Sequence, residues 1–158
     1  MNYAGVPGLG SKLRMLLARL DGDVTALYKR EGYSFRPRFY PVVRFLMQQE
    51  QASVSAIARV LRTTQPAATQ TLSEMKRIGL VTIATGADRR ERVVCLTQEA
   101  KRLATALQPT WDAVHLAAEQ LDSELSYPLS AIVDEALCAL EDRSFEDRIL
   151  DCRAQQEI

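Results

Sequence analysis

The stretch from Thr64 to Thr97 constrains the fold more than any other part of the chain. It reads Thr64-Gln65-Pro66-Ala67-Ala68-Thr69-Gln70-Thr71-Leu72-Ser73-Glu74-Met75-Lys76-Arg77-Ile78-Gly79-Leu80-Val81, and later Asp88-Arg89-Arg90-Glu91-Arg92-Val93-Val94-Cys95-Leu96-Thr97. Thr64 is suited to cap a helix, with Gln65 and Pro66 in the first turn, where the missing proline N–H costs little. Ala68, Leu72, Met75 and Gly79 then share one face, and Pro66, Thr69, Gln70, Ser73 and Arg77 lie on or near the opposite one. Gly79 ends the helix. Leu80 to Ala84 and Glu91 to Leu96 are rich in β-branched residues and read as strands, with Thr85-Gly86-Ala87-Asp88-Arg89-Arg90 as the tip between them.

What precedes this stretch completes a motif. Ala52 to Leu61 predicts a short helix, with Ser53 as N-cap and Ile57, Val60 and Leu61 facing inward. Arg62-Thr63-Thr64 is a tight polar connection, so the two helices form a helix-turn-helix. A helix with a polar outer face followed by a hairpin with a basic tip is the order of a DNA recognition helix and its wing. Upstream, Leu9, Leu13, Leu16, Leu20, Val24 and Leu27 make one apolar stripe, weakened at Gly22 and ended near Gly32. Pro37 and Pro41 fall early in a second helix whose core face is Phe39, Val42, Val43, Leu46 and Met47.

Thr97 can cap a long helix in which Ala100, Ala104, Leu107, Trp111, Val114, Ala118 and Leu121 alternate four and three residues, a seam suited to helix pairing. Pro109 removes a hydrogen bond to Thr105 and is expected to kink or split it. Ser126-Tyr127-Pro128 opens a last helix with Leu129, Ile132, Val133, Ala136, Leu137 and Leu140 inward, extended by Phe145, Ile149 and Leu150. The fold class expected is mainly α with a small β-hairpin wing, as one domain over residues 1–158. Residues 36–97 form the winged helix-turn-helix lobe. The helices of 9–32 and 98–152 carry more apolar stripe than a small lobe covers. A second copy is the simplest partner for them, and an intramolecular bundle is the alternative.

Charge separates along the chain although the net charge is zero. Residues 1–97 hold 15 Lys/Arg and 7 Asp/Glu, whereas residues 98–158 hold 5 and 13. One basic face for a polyanion and a separate acidic half follow, unless the clustering is that of an ordinary solvated surface. No apolar run approaches the ~20 residues of a membrane span. The first residues lack a signal-peptide core, so the expected location is cytoplasmic. The cysteines, Cys95, Cys138 and Cys152, form no C-x-x-C pair, and His115 is the single histidine. Neither a disulfide framework, a metal centre nor a cofactor is expected. The chain has no Gly-rich phosphate loop and one histidine at most for nucleophile activation, which argues against an enzyme.

Across roughly residues 10 to 150 the chain resembles the MarR family of transcriptional regulators. Gln65-Pro66-Ala67-Ala68-Thr69-Gln70-Thr71-Leu72 is similar to the start of that family's recognition helix, Gly79-Leu80-Val81 to its entry into the wing, and Asp88-Arg89-Arg90 with Val93 to Thr97 to the wing and its exit. The resemblance implies a homodimer built by the terminal helices, one winged helix per subunit, and a ligand-released repressor on an inverted-repeat operator.

The chemistry of the exposed residues agrees with that reading. A Gln70 amide can pair with both N6 and N7 of adenine, and the resemblance places a base contact there. Thr69 and Pro66 suit a thymine methyl or a phosphate. Thr64 and Ser55 suit phosphates, as do Arg62, Lys76 and Arg77, positioning the helix without reading sequence, and Gln65 is a further DNA-binding candidate. The resemblance suggests Arg90 as the residue inserted into the minor groove and Asp88 as the carboxylate that aims it, with Arg89 and Arg92 on the backbone. Asp88 also reads as a plain turn-former.

The resemblance further implies an effector cleft, with Tyr40, Arg44, Trp111 and His115 as candidates to hold a small aromatic or anionic effector. Trp111 reads equally as core and His115 as a surface side chain. Two alternatives remain: a redox-responsive regulator of the same fold, and a winged helix used for protein–protein interaction. The absence of a cysteine before Cys95 disfavours the N-terminal peroxide sensing known in the family, and Cys138 is expected to be a buried structural thiol.

Overall fold

The computed structural model describes residues 8–86 and 92–156. Helix α1 spans Leu9–Arg30 and passes Gly22 without a break. Its end is set as expected near Gly32, which has φ +82°, a left-handed conformation that costs glycine nothing. A 3₁₀ turn at Pro37–Phe39 leads into α2, Tyr40–Gln49, so the two prolines start successive short elements rather than one. The strand β1, Gln51–Ser53, precedes α3, Val54–Val60. Helix α4 spans Gln65–Arg77, and β2 (Val81–Thr85) and β3 (Arg92–Leu96) follow.

The sheet has three antiparallel strands in the order β1-β3-β2. Val81 pairs with Leu96 and Thr85 with Arg92, which fixes the register of the hairpin. Gln51, Ala52 and Ser53 pair with Cys95, Val94 and Val93. This edge strand corrects the expectation that Ala52 begins a helix. Three residues show no alternation to read, and their hydrogen-bond partners lie far along the chain. The first hairpin strand also starts one residue later than expected, at Val81, and Glu91, expected to open the second, lies outside the described residues.

Beneath the sheet and helices sits a core of Phe39, Val42, Val43, Leu46, Ile57, Leu72, Met75 and Val94, all at most 1% exposed. Val60 and Met47 are exposed, contrary to expectation, and Ala58 takes the inward place on α3. A seven-residue helix covers too little of the core to bury two flanks.

Contacts divide the chain into two units, Met1–Gln108 and Pro109–Ile158. Helix α5, Gln98–Glu124, is continuous through Pro109, so the proline does not split it. The turns on either side keep their own hydrogen bonds, and one lost bond is tolerated. In the second unit α6 spans Leu129–Asp142 and α7 spans Phe145–Ala154.

The single last helix expected there is in fact two. Arg143 is extended (φ −147°, ψ 121°), and Ser144 caps α7 by accepting from Asp147 N–H at 3.1 Å. Asp122 caps α6 from a distance, accepting from Leu129 N–H at 2.8 Å and Ser130 N–H at 3.2 Å. Cys138 is exposed rather than buried, because α6 in the single chain has no buried residue. No helix among the described residues is long and apolar enough to cross a membrane.

Candidate nucleic-acid interface

Local capping sets the helix-turn-helix. Ser53 Oγ accepts from Ala56 N–H at 3.2 Å and starts α3. Thr64 Oγ1 accepts from Ala67 N–H at 3.4 Å and starts α4, with Pro66 in the first turn. Between them Arg62 adopts φ +47°, the left-handed conformation that turns the chain within a few residues. Ala68, Leu72 and Met75 are fully buried, so α4 can present only its opposite face.

That face carries the residues singled out from sequence. Gln65, Pro66, Thr69, Gln70, Ser73, Lys76 and Arg77 are all exposed. Thr69 donates its hydroxyl to the Gln65 carbonyl at 2.8 Å, and Ser73 donates to that of Thr69 at 2.8 Å. Their protons are therefore turned into the helix, leaving the Thr69 methyl and the oxygen lone pairs outward. Gln70 has no hydrogen-bond partner among the described residues, so its amide keeps both donors and its acceptor for an external group.

One flank of α4 opens onto a cavity of about 790 Å³ lined by Ser53, Val54, Ser55, Gln65, Thr69, Leu72, Ser73, Lys76, Ile83 and Arg92. It joins the start of α3, the side of α4 and the root of the wing. Hydroxyls line it, and two cations lie at Lys76 and Arg92. Ser53 and Ser55 share a hydrogen bond of 2.9 Å at its edge. A phosphate backbone suits this lining, which offers neutral donors and positive charge and, among the described residues, no carboxylate. Ser55, Lys76 and Arg92 are thus brought to one place with Gln65 and Thr69. Thr64 and Arg62 sit at the turn beside them, and Asp88, Arg89 and Arg90 lie outside the described residues.

The opposite flank faces a second cavity of about 530 Å³, whose lining includes Lys29, Tyr33, Arg36, Glu74 and Arg77. Glu74 is the only acidic residue of α4. Its carboxylate accepts from Arg36 at 3.3 Å and also pairs with Arg38. The Arg38 hydrogen bond holds the Glu74 carboxyl below its ordinary range, against desolvation, with the charges of Arg38, Arg36 and Arg77 acting in the same direction as the bond. Sequence reading passed over this cluster because its members are far apart along the chain.

The four residues proposed for an effector are placed less favourably. Tyr40 and Arg44 are exposed, and Arg44 donates to Gln108 Oε1 at 3.3 Å. Trp111 is buried, as its alternative reading as core requires. The His115 side chain is 80% exposed and lies 3.5 Å from Glu119, one helical turn away, so it stands as a surface side chain. Neither of the two cavities above is lined by any of the four.

No sequence-family model and no curated protein matches the chain. Solved structures do. The M. tuberculosis transcriptional regulator MosR in complex with DNA aligns with a TM-score of 0.68 at 18% identity, over 87% of this chain and 99% of that one. A mutant MarR from E. coli complexed with operator DNA aligns at 0.65 and 16%, over 89% and 98%. Bordetella bronchiseptica BpsR, whose DNA binding is regulated by 6-hydroxynicotinic acid, aligns at 0.65 and 16%, over 91% and 99%. A helical chain with a three-stranded wing sheet, a capped helix-turn-helix and near-complete coverage of these regulators has the MarR-type winged helix fold.

Proposed function

We propose that this chain is a sequence-specific, duplex-DNA-binding transcriptional regulator that acts as a homodimer and is released from its operator by a small molecule. The observation that carries the reading is the outer face of α4. An unengaged Gln70 amide sits among hydroxyls and cations, beside a cavity that reaches the wing and whose described lining residues offer hydroxyls and cations and no carboxylate. Gln70 reads adenine in the major groove. Thr69 and Pro66 meet a thymine methyl or the backbone. Ser55, Thr64, Gln65, Arg62, Lys76, Arg77 and Arg92 hold phosphates, and Asp88, Arg89 and Arg90 extend the contact from the wing tip.

Exposed apolar side chains support the dimer. In the first unit Leu9, Leu13, Met15, Leu17 and Leu20 are exposed on α1. In the second, Ile132, Val133, Leu137, Leu140, Phe145, Ile149 and Leu150 are exposed on α6 and α7. Runs of this kind on a single chain mark an association surface. A two-fold dimer sets its recognition helices about one helical turn of DNA apart, ~34–36 Å, and so selects an inverted repeat. A small aromatic or anionic effector acts by binding better to a dimer whose helices no longer match that spacing.

Fluorescence anisotropy of the purified protein tests the reading, using the duplex upstream of its own gene beside a scrambled duplex over a salt series. Preference for the native duplex, with affinity falling steeply as salt rises, is expected. Weak, equal and salt-insensitive binding to both would sink it in favour of a protein partner.

A further inference from the structure

The connection between α1 and α2 alternates arginines with buried aromatic rings. Phe35 meets Tyr28 edge-on at 5.3 Å between centroids and Phe39 edge-on at 5.9 Å, and Phe35 and Phe39 are 3% and 1% exposed. Arg36 and Arg38 lie between these two phenylalanines in sequence, and the Arg38 guanidinium lies 5.5 Å from the Phe39 centroid. Both arginines reach the same oxygen of Glu74. Glu74 follows Gln70 by one helical turn, so it occupies the ridge of α4 that carries the proposed base-reading amide.

A lone exposed ion pair contributes little, because two long side chains lose freedom for one screened contact. Here one carboxylate is shared by two guanidiniums whose backbones are already anchored by Phe35 and Phe39, so less freedom is lost per contact. The partners also belong to different elements, so the contact constrains tertiary placement and not just one helix.

We infer that Glu74, held by Arg38 and Arg36, is a positioning residue that fixes the C-terminal half of the recognition helix against the α1–α2 connection and keeps its only carboxylate away from DNA phosphates. This rests on the DNA-binding reading above. Removing the carboxylate frees two guanidiniums beside a polyanion, which strengthens sequence-independent attraction. The same change loosens the ridge that bears Gln70, which weakens base readout. Specific and non-specific affinity therefore move in opposite directions, a signature that general destabilisation does not produce.

The test uses the full chain with Glu74→Gln, Arg38→Gln and the exchanged pair Glu74→Arg with Arg38→Glu. The probes are a duplex selected by the wild-type protein from a random pool and a shuffled duplex of the same composition. For Glu74→Gln the ratio of the two affinities is expected to fall about tenfold, within the usual coupling range of contacting residues. The shuffled duplex should be bound more tightly, and the exchanged pair should recover part of the ratio. A ratio within twofold of wild type, or equal weakening on both duplexes, overturns the inference.

Amide exchange without DNA reports the clamp separately. Protection from Ser73 to Gly79 should drop in Arg38→Gln, and unchanged protection overturns the clamp. A wild-type protein that selects no sequence overturns the DNA-binding reading, and the specificity role with it.

Discussion

Thr97 ties the wing to the helices on either side of it. Its hydroxyl donates to the Gly79 carbonyl at 2.7 Å and accepts from Ala100 N–H at 3.1 Å, while its own N–H donates to Leu80 at 3.1 Å. Gly79 has φ +78° and ends α4, so one side chain joins the exit of α4, the end of β3 and the start of α5. Thr97→Val keeps the shape and the backbone bond but deletes both hydroxyl bonds. Loss of the cap costs about 1 kcal/mol, and loss of the neutral bond to Gly79 costs about 1 kcal/mol more.

A total near 2 kcal/mol, in a chain of 158 residues, corresponds to a fall in Tm of roughly 4–8 °C. Thermal and urea unfolding followed by circular dichroism measures it. Protein concentration must be fixed, since association would add to apparent stability. Thr97→Ser keeps the hydroxyl and should recover most of the loss. A T97V protein within 0.5 kcal/mol of wild type, well under the ~1 kcal/mol of a single cap, would refute the reasoning. So would a T97S protein that falls as far as T97V.

Three further outcomes are expected. Leu72→Ala, at a fully buried site on the inner face of α4, should cost about 2–5 kcal/mol in urea unfolding, and a cost below that range would mean the inner face is not packed as described. Gln70→Ala should lose about 1–3 kcal/mol of discrimination between native and altered operator with an unchanged salt slope, while Lys76→Ala should weaken all duplexes alike and lower that slope by about 0.9. Anisotropy separates the two, and identical effects would contradict the division between base and backbone contacts. Asp122 has its pKa lowered, first by the Ser130 hydroxyl bond, so its contribution is fully present above the ordinary value of 3.8 and is lost as pH falls through the lowered folded value. An acid titration of stability should flatten in Asp122→Asn over that range, and an unaltered profile would exclude the cap as its source.

Much of the candidate interface was legible because it is written in short-range signals. Ser53, Thr64 and Thr97 each cap a helix through a bond to an amide three residues on. The burial of Ala68, Leu72 and Met75 follows from helical period alone, and it forces Gln70 outward. The left-handed Gly79 ends α4 where the sequence placed the stop.

Tertiary structure decided what depends on partners distant in the chain. Gln51–Ser53 is a strand because β3 offers it hydrogen bonds, and no three-residue pattern announces that. Val60 is exposed since its helix is too short to bury both flanks, and α5 survives Pro109 since its other turns hold. The Glu74 carboxylate reads in sequence as an ordinary solvated charge on a helix. Only folding brings Arg36 and Arg38 to it, because an ion pair requires proximity in space, and helical period fixes which way a side chain points but not what it meets.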